Sequence, residues 1–269
     1  MGALHDGHRA LLAAARERAG QTGAVAVSIF VNPLQFGPNE DLDRYPRTLP
    51  TDLETCEAEH VDLVFAPSVD QMYPAEQLVT VDPGPAGEIL EGEFRPGFFR
   101  GVLTVVLKLF SLVRPDVAVF GQKDAQQLAL VRRMVADFAL GIEIEAVPIV
   151  RAPDGLALSS RNNYLSSAQR SVAPVLRRAL AAGAAAAAGG PRSVLATARL
   201  VLDEAGSALT VDYLELVEGG TYAPVRDDEF EGAAVLAVAA RVGSTRLIDN
   251  VTVQIGTGQL GIAEHAADD

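Results

Sequence analysis

The order of helical and strand-like segments in the first half of the chain constrains its fold most strongly. Apolar residues at helical spacing over 8–19 precede a buried strand pattern over 24–31, and this alternation continues to about residue 150. Strands that alternate with long helices are typical of a parallel sheet covered by helices. Further helices are predicted over 51–60, 101–113 and 124–138, and further strands over 61–66, 116–120 and 142–150.

In the second half of the chain, the predicted helices come first and the predicted strands follow them. Ser166 and Gln169 predict a capping box at the start of an alanine-rich helix, as Thr51 and Glu54 do for the helix over 51–60. Helices followed by strands are typical of an α+β unit. The predicted strands lie near 210–217, 233–241 and 246–253.

The change of pattern divides the chain into two predicted domains. The polar segment 151–163 follows the last strand of the alternating half. We therefore predict an α/β domain with a parallel sheet over residues 1–149 and a smaller α+β domain over residues 150–269.

Composition narrows the classes of function. The net charge of −13 argues against a nucleic-acid partner, because surfaces that bind nucleic acids are usually basic. No apolar run reaches the roughly 18 residues of a membrane span. We expect no secretory signal, and Cys56, which has no second cysteine to pair with, is expected to be a small buried residue. These features predict a cytoplasmic protein with no membrane partner.

The first candidate motif is a pair of histidines, His5 and His8, that leads directly into a predicted helix. A helix N-terminus attracts phosphate, and two imidazoles there can donate hydrogen bonds as charge develops in a transition state. Gly7 between them allows a close approach of the backbone. The alternative is an ordinary pair of surface histidines near a frayed terminus.

The second motif follows the strand that ends near Val31. Ligands of open α/β folds bind at the carboxyl ends of strands. Asn32 and Gln35 could bind a hydroxyl or carboxylate there, with Phe36 as an apolar wall. An ordinary Asn-Pro turn would give the same pattern.

The third motif is the stretch Gly121-Gln122-Lys123-Asp124, again between a strand and a helix. Lys123 could reach phosphates and Asp124 could accept hydrogen bonds from ribose hydroxyls, with Gln127 one turn further along the helix. Asp124 could equally be an N-cap.

The fourth motif is Leu158-Ser159-Ser160-Arg161-Asn162, where hydroxyl side chains stand next to an arginine. This combination suits a phosphate clamp, and a polar interdomain linker is the alternative. The sequence shows no Walker A pattern, no G-x-G-x-x-G and no Cys/His cluster with zinc spacing, so we expect no metal site built from protein ligands.

Taken in order, the four motifs resemble the pantothenate synthetase family, whose members belong to the nucleotidyltransferases with paired histidines. The resemblance covers nearly the whole chain. Its most specific phrases are Phe30-Val31-Asn32-Pro33, Tyr45-Pro46-Arg47-Thr48 and Ser159-Ser160-Arg161-Asn162.

The resemblance implies a Rossmann-like ATP- and pantoate-binding domain and a lid-like C-terminal domain. It implies that pantoate reacts with ATP and Mg²⁺ to form pantoyl adenylate and diphosphate. β-Alanine then gives pantothenate, the precursor of coenzyme A, and AMP. Mg²⁺ would be held mainly by the ATP phosphates.

The resemblance also implies residue roles. His8, His5 and Lys123 would be catalytic, and Gln35, Gln127 and Asn32 would bind pantoate, with Gln35 also facing β-alanine. The residues implied to contact ATP are Met1, Gly2, Ala3, Leu4, His5, Asp6, Gly7, His8, Gly121, Gln122, Lys123, Asp124, Val150, Leu158, Ser159, Ser160 and Arg161.

Two departures from the family accompany the resemblance. Leu158 stands where many relatives carry Met, a similar apolar volume. A β-strand precedes the histidine motif in the family, and our hypothesis is that Met1 is an internal methionine and the first, central strand is missing from this chain. Two rival interpretations stay open: another nucleotidyltransferase with paired histidines, and an inactive, N-terminally truncated remnant. The resemblance further implies a homodimer.

Overall fold

A computed structural model describes residues 2–38, 40 and 42–256 of the chain. The helices of its first half are α1 (Asp6–Ala19), α2 (Leu49–Ala58), α3 (Val69–Met72), α4 (Glu91–Phe94), α5 (Phe98–Val113) and α6 (Ala125–Asp137). The strands there are β1 (Ala26–Ser28), β2 (Leu63–Phe65), β3 (Val117–Gly121) and β4 (Glu143–Val147). The second half contains α7 (Ser167–Val172), α8 (Val175–Ala185), α9 (Gly190–Asp203), β5 (Thr210–Glu218), β6 (Gly232–Val242) and β7 (Thr245–Ile255).

The strands of the first half form two parallel pairs, as the alternation of elements predicted. β1 pairs with β2, and β3 pairs with β4. No ladder hydrogen bond joins the two pairs within the described residues. Helix α1 contacts both pairs: Leu12 packs with Val27 of β1, and Leu11 lies against Gly121 at the end of β3. The start of α1 is therefore placed next to the carboxyl ends of strands from both pairs.

The second half is an antiparallel sheet with the order β5-β6-β7, which confirms the predicted α+β elements. Leu236 and Val238 of β6 belong to the core formed with α8 and α9. Val235 and Ala237 pack with Leu90, beside residues of α6. Because both faces of β6 are covered, its sequence is almost continuously apolar. The sheet thus lies directly against the first half.

The two predicted capping boxes have different outcomes. The side chains of Ser166 and Gln169 bond to each other's backbone N–H at the start of α7, as predicted. The box at Thr51 is wrong, because α2 begins at Leu49 with Thr48 as its N-cap residue. Pro50 lies in the first helical turn, which suits a residue without an N–H. Thr51 is therefore already inside the helix.

Two expectations from composition concern burial and membranes. Cys56 is a free thiol buried with Leu12, Val27 and Ile29, as predicted. Among the helices of residues 2–38, 40 and 42–256, none combines the length and the apolar character of a membrane span.

Candidate active site

The paired histidines stand at the first turn of α1 and hold each other in a fixed arrangement. Nδ1 of His5 accepts a hydrogen bond from the Gly7 N–H (3.1 Å), and Nδ1 of His8 accepts one from the His5 N–H (3.3 Å). The two ring centroids are 4.1 Å apart. Each proton therefore lies on Nε2, so both rings present an Nε2–H donor.

Gly7 is required by this packing. A Cβ atom at this position would lie 2.9 Å from Cε1 and 3.0 Å from Nδ1 of His5. The same Cβ would be 3.9 Å from Cβ of Leu158, so the fourth motif lies beside the first. The structure thus gives Gly7 a steric role and brings two of the four predicted motifs together.

Burial keeps both imidazoles neutral at physiological pH. Burial and the neighbouring His5 lower the pKa of His8 to about 3. Burial, and then the positive charge of Lys123, lowers the pKa of His5. Neutral rings agree with the hydrogen bonds that Nδ1 accepts. The pair can act as hydrogen-bond donors without being cations.

Asp52, which the sequence did not single out, anchors the backbone before the histidines. Its side chain is buried, and its carboxylate accepts hydrogen bonds from Ala3 N–H (3.0 Å) and Leu4 N–H (2.8 Å). The Thr48 hydroxyl donates to the same carboxylate (3.1 Å). Ala3 has φ of +50°, a strained value for a residue with a side chain. Asp52 therefore stabilises an unfavourable backbone conformation at the edge of the site.

The second motif forms a hydrogen-bonded chain that ends on Gln35. Asn32 is buried, and its Nδ2 donates to Gln35 Oε1 (3.2 Å) and to the Gly101 carbonyl (3.1 Å). The Tyr73 hydroxyl donates to Asn32 Oδ1 (2.8 Å), and burial raises the pKa of Tyr73 to about 12, so this donor stays protonated. The arrangement turns the amide NH₂ group of Gln35 away from Asn32, where it can donate to a ligand oxygen.

Helix α5 touches the turn that carries Gln35, and Gly101 allows this contact. A Cβ at Gly101 would lie 2.1 Å from the Leu34 carbonyl oxygen and 2.7 Å from the Gln35 nitrogen. These neighbours are backbone atoms, which cannot move aside as a flexible side chain could.

We expect Gly101→Ala to lower the free energy of unfolding by about 1–3 kcal/mol, as overpacking does. In an open helical position the same change raises the free energy of unfolding by roughly 0.5–1 kcal/mol. The direction of the change at Gly101 therefore distinguishes a crowded position from an open one. Urea unfolding measures the effect, with Arg100→Ala at the neighbouring exposed position as control. A Gly101→Ala protein at least as stable as the parent would contradict this account.

The third motif joins β3 to α6 through a short 3₁₀ turn, Gln122–Asp124. Nζ of Lys123 is 3.7 Å from Oδ1 of Asp124, and Lys123 is close enough to affect the pKa of His5. Asp124 occupies the N-cap position of α6, but its side chain makes no capping hydrogen bond. The Asp124 carboxylate is therefore not used to cap α6.

The fourth motif is held by a small hairpin at the start of the second half. Leu158 N–H donates to the Val150 carbonyl (3.0 Å), and Arg151 forms a bidentate ion pair with the buried Asp249 (2.7 and 2.9 Å). The Ser159 hydroxyl accepts a hydrogen bond from the Arg161 N–H (3.3 Å). The hairpin thus brings the two predicted ATP segments of the second half, Val150 and 158–161, together.

A cavity of about 830 Å³ lies between the two halves. Of the predicted site residues, Lys123, Asp124, Gln127, Ser159 and Arg161 line it. His5, His8, Asn32 and Gln35 are not among its lining residues, although the histidines adjoin Lys123 and Leu158. Met1, also predicted to contact ATP, lies outside the described residues.

The lining of the cavity also includes members of a buried charge cluster that sequence reasoning missed. Arg246 bonds to Glu91 (2.7 Å) and Asp212 (2.7 Å), and the Tyr213 hydroxyl donates to Glu91 (2.9 Å). These partners come from both halves of the chain. No local pattern distinguishes them from solvated surface charges, so only the tertiary structure reveals the cluster.

Comparison with known proteins shows which family the chain belongs to. The model of the family described as pantoate-beta-alanine ligase matches residues 1–252. The chain belongs to the pantoate-beta-alanine ligase family. A pantothenate synthetase from Thermobifida fusca is 64% identical over 264 residues, which cover 95% of this chain and 88% of that protein.

Solved structures of pantothenate synthetases superpose on the fold of this chain. A pantothenate synthetase from Thermus thermophilus superposes with a TM-score of 0.88 at 46% identity, covering 93% of this chain and 90% of that chain. A pantoate-beta-alanine ligase from Francisella tularensis, complexed with beta-gamma ATP and beta-alanine, superposes with a TM-score of 0.74 at 33% identity. That match covers 93% of this chain and 86% of the other. The rival interpretation as another type of nucleotidyltransferase is not favoured.

Proposed function

We propose that this chain condenses pantoate with β-alanine in two steps driven by ATP. A pantoate carboxylate oxygen attacks the α-phosphorus, the bond from the α-phosphorus to the bridging oxygen breaks, and diphosphate leaves. The β-alanine amine then attacks the acyl carbon of pantoyl adenylate, loses a proton, and AMP leaves. The product is pantothenate.

The observation that carries the proposal is the fixed orientation of two neutral Nε2–H donors beside Lys123. In the first step, charge shifts onto the diphosphate oxygens, and donors held in place stabilise such charge without reorganising. His5 and His8 supply the hydrogen bonds, and Lys123 supplies a compact positive charge. No nucleophile from the protein is needed, which agrees with the residue types present.

Pantoate is proposed to bind through Gln35 and Gln127, with Gln35 also facing β-alanine. Gln35 offers its amide NH₂ group, because Asn32 occupies its oxygen. Asn32 is itself buried and fully engaged with Tyr73 and Gly101, so its contribution to substrate binding acts through Gln35.

ATP is proposed to contact the residues that the family resemblance implies for it, with Asp124 near the ribose hydroxyls. No group of three or more His, Cys, Asp or Glu side chains within the described part of the chain could hold a metal ion. Mg²⁺ would therefore arrive bound to the ATP phosphates, where it neutralises their charge. The proposed nucleotide contacts are Gly2–His8, Gly121–Asp124, Val150 and Leu158–Arg161.

Domain organisation and assembly are also proposals. Residues 150–269 would form a lid domain that shields the reactive mixed anhydride from water above the domain formed by residues 1–149. A homodimer and a cytoplasmic location stay predictions from the family resemblance and composition.

The test is exchange of labelled diphosphate into ATP in the presence of pantoate and the absence of β-alanine. We expect exchange that depends on pantoate, and AMP and pantothenate once β-alanine is added. Exchange with a different acid in place of pantoate would favour another nucleotidyltransferase. A folded chain, verified by circular dichroism, that shows no exchange would contradict the proposal and favour an inactive remnant.

A further inference from the structure

Two adjacent polar residues of β7, Asp249 and Asn250, are buried within the second half of the chain. Their exposed fractions are 3% and 8%. Neighbouring residues of the strand, such as Leu247 and Val253, are apolar core residues. Buried polar groups are retained where hydrogen bonds satisfy them, so the partners of this pair are informative.

Asn250 binds the turn that carries Lys123. Its Nδ2 donates to the carbonyl oxygens of Gln122 (3.0 Å) and Lys123 (2.9 Å). One side-chain amide therefore uses both of its hydrogens on two successive peptide groups. The contact spans more than 120 residues of sequence and crosses from the second half to the first.

Asp249 binds the second predicted nucleotide segment. Its carboxylate holds Arg151 in a bidentate ion pair, and Arg151 also donates to the Gly155 carbonyl (3.0 Å) within the hairpin that ends at Leu158. Edge strand β7 thus contacts both loops that are proposed to meet ATP.

We propose that Asn250 is a positioning residue for Lys123, so that the phosphate-binding turn is completed by the second half of the chain. This inference rests on the proposed function and extends it. The backbone of residues 122–123 fixes where the Lys123 side chain begins, and a displacement of about 1 Å at a reacting group can cost roughly a hundredfold in rate. Asp249 and Asn250 thereby hold the Arg151 hairpin and the Lys123 turn in place.

Asn250→Asp is the sharpest test, because it keeps the side-chain volume and replaces the donor with a carboxylate oxygen facing two carbonyl oxygens. We expect Kd for MgATP to rise about tenfold or more, which is what loss of hydrogen bonds worth roughly 1.4 kcal/mol gives. KM for pantoate should change less than twofold. Asn250→Ser, which keeps one donor, should show a smaller rise, and Thr252→Ala at an exposed position of the same strand is the control.

Calorimetric titration of MgATP separates this inference from the proposed reaction, since binding needs no turnover. A variant that binds MgATP like the parent would overturn the inference, even if the parent catalyses exchange. Weakened MgATP binding would support it, even if pantoate proves not to be the substrate.

A double-mutant cycle with Lys123→Ala distinguishes positioning from a general loss of stability. If Asn250 acts through Lys123, Asn250→Asp should weaken MgATP binding little further in the Lys123→Ala protein. Fully additive losses of binding free energy would overturn the inference.

Discussion

His8→Ala is expected to lower kcat for pantoate-dependent exchange by about 10²–10³-fold, the usual cost of removing one fixed donor to a developing negative charge. His8 Nδ1 is occupied by the His5 N–H, so Nε2–H is the group that is lost. The KM for pantoate should change little, because His8 is proposed to contact ATP. Exchange kinetics over a range of pantoate concentrations measure both quantities.

Two further variants define the role of His8. His8→Gln can place an amide N–H near the position of Nε2–H, and it should retain more activity than His8→Ala. His60→Asn at an exposed position is the control for removing a histidine, since Asn tolerates the positive φ of +57° there. An exchange rate for His8→Ala within threefold of the parent would remove His8 from the mechanism.

The lowered pKa of His8 also predicts a pH dependence. The ordinary pKa of 6.5 applies in the unfolded chain, whereas burial lowers it to about 3 in the folded chain. Between these values the unfolded state binds more protons, so the free energy of unfolding falls as pH falls from 6.5 toward 3. Urea unfolding of His8→Gln should show a weaker decline over this range than the parent does.

The sequence predicted those helices and strands whose apolar residues follow a regular local spacing. Helices over 101–113 and 124–138 appear at nearly the predicted bounds because their apolar spacing is set by neighbours in sequence. The continuous apolar run of β6 likewise indicates a strand that is covered on both faces. The predicted capping box at Thr51 failed because Pro50 makes an earlier helix start favourable.

The candidate site was predictable only in part, for a related physical reason. The motifs that carry His5 and Lys123 lie at a helix start and between a strand and a helix, which sequence reveals. The residues that hold them in place act over long distances: Asp52 is 48 residues from Leu4, and Asn250 is 127 residues from Lys123. Such partners are ordinary polar residues until the chain folds.

Replacement of Asp52 should affect both stability and catalysis. In Asp52→Ala, the N–H groups of Ala3 and Leu4 lose their acceptor, at about 1–3 kcal/mol for each group left buried and unsatisfied. Ala3 would also lose the contact that stabilises its positive φ. We expect a lower melting temperature and a displaced His5.

Catalysis should fall together with stability, because the displaced backbone leads directly into the histidine pair. A shift of about 1 Å there would lower the exchange rate roughly a hundredfold. Asp52→Asn keeps one acceptor oxygen and should be intermediate, whereas Glu54→Ala, at an exposed position of the same helix, should resemble the parent. Exchange assays run well below the melting temperature of each variant separate the loss of catalysis from the loss of stability. Parent-like exchange in folded Asp52→Ala would show that the histidine pair keeps its position without this anchor, and that α1 alone holds its first turn in place.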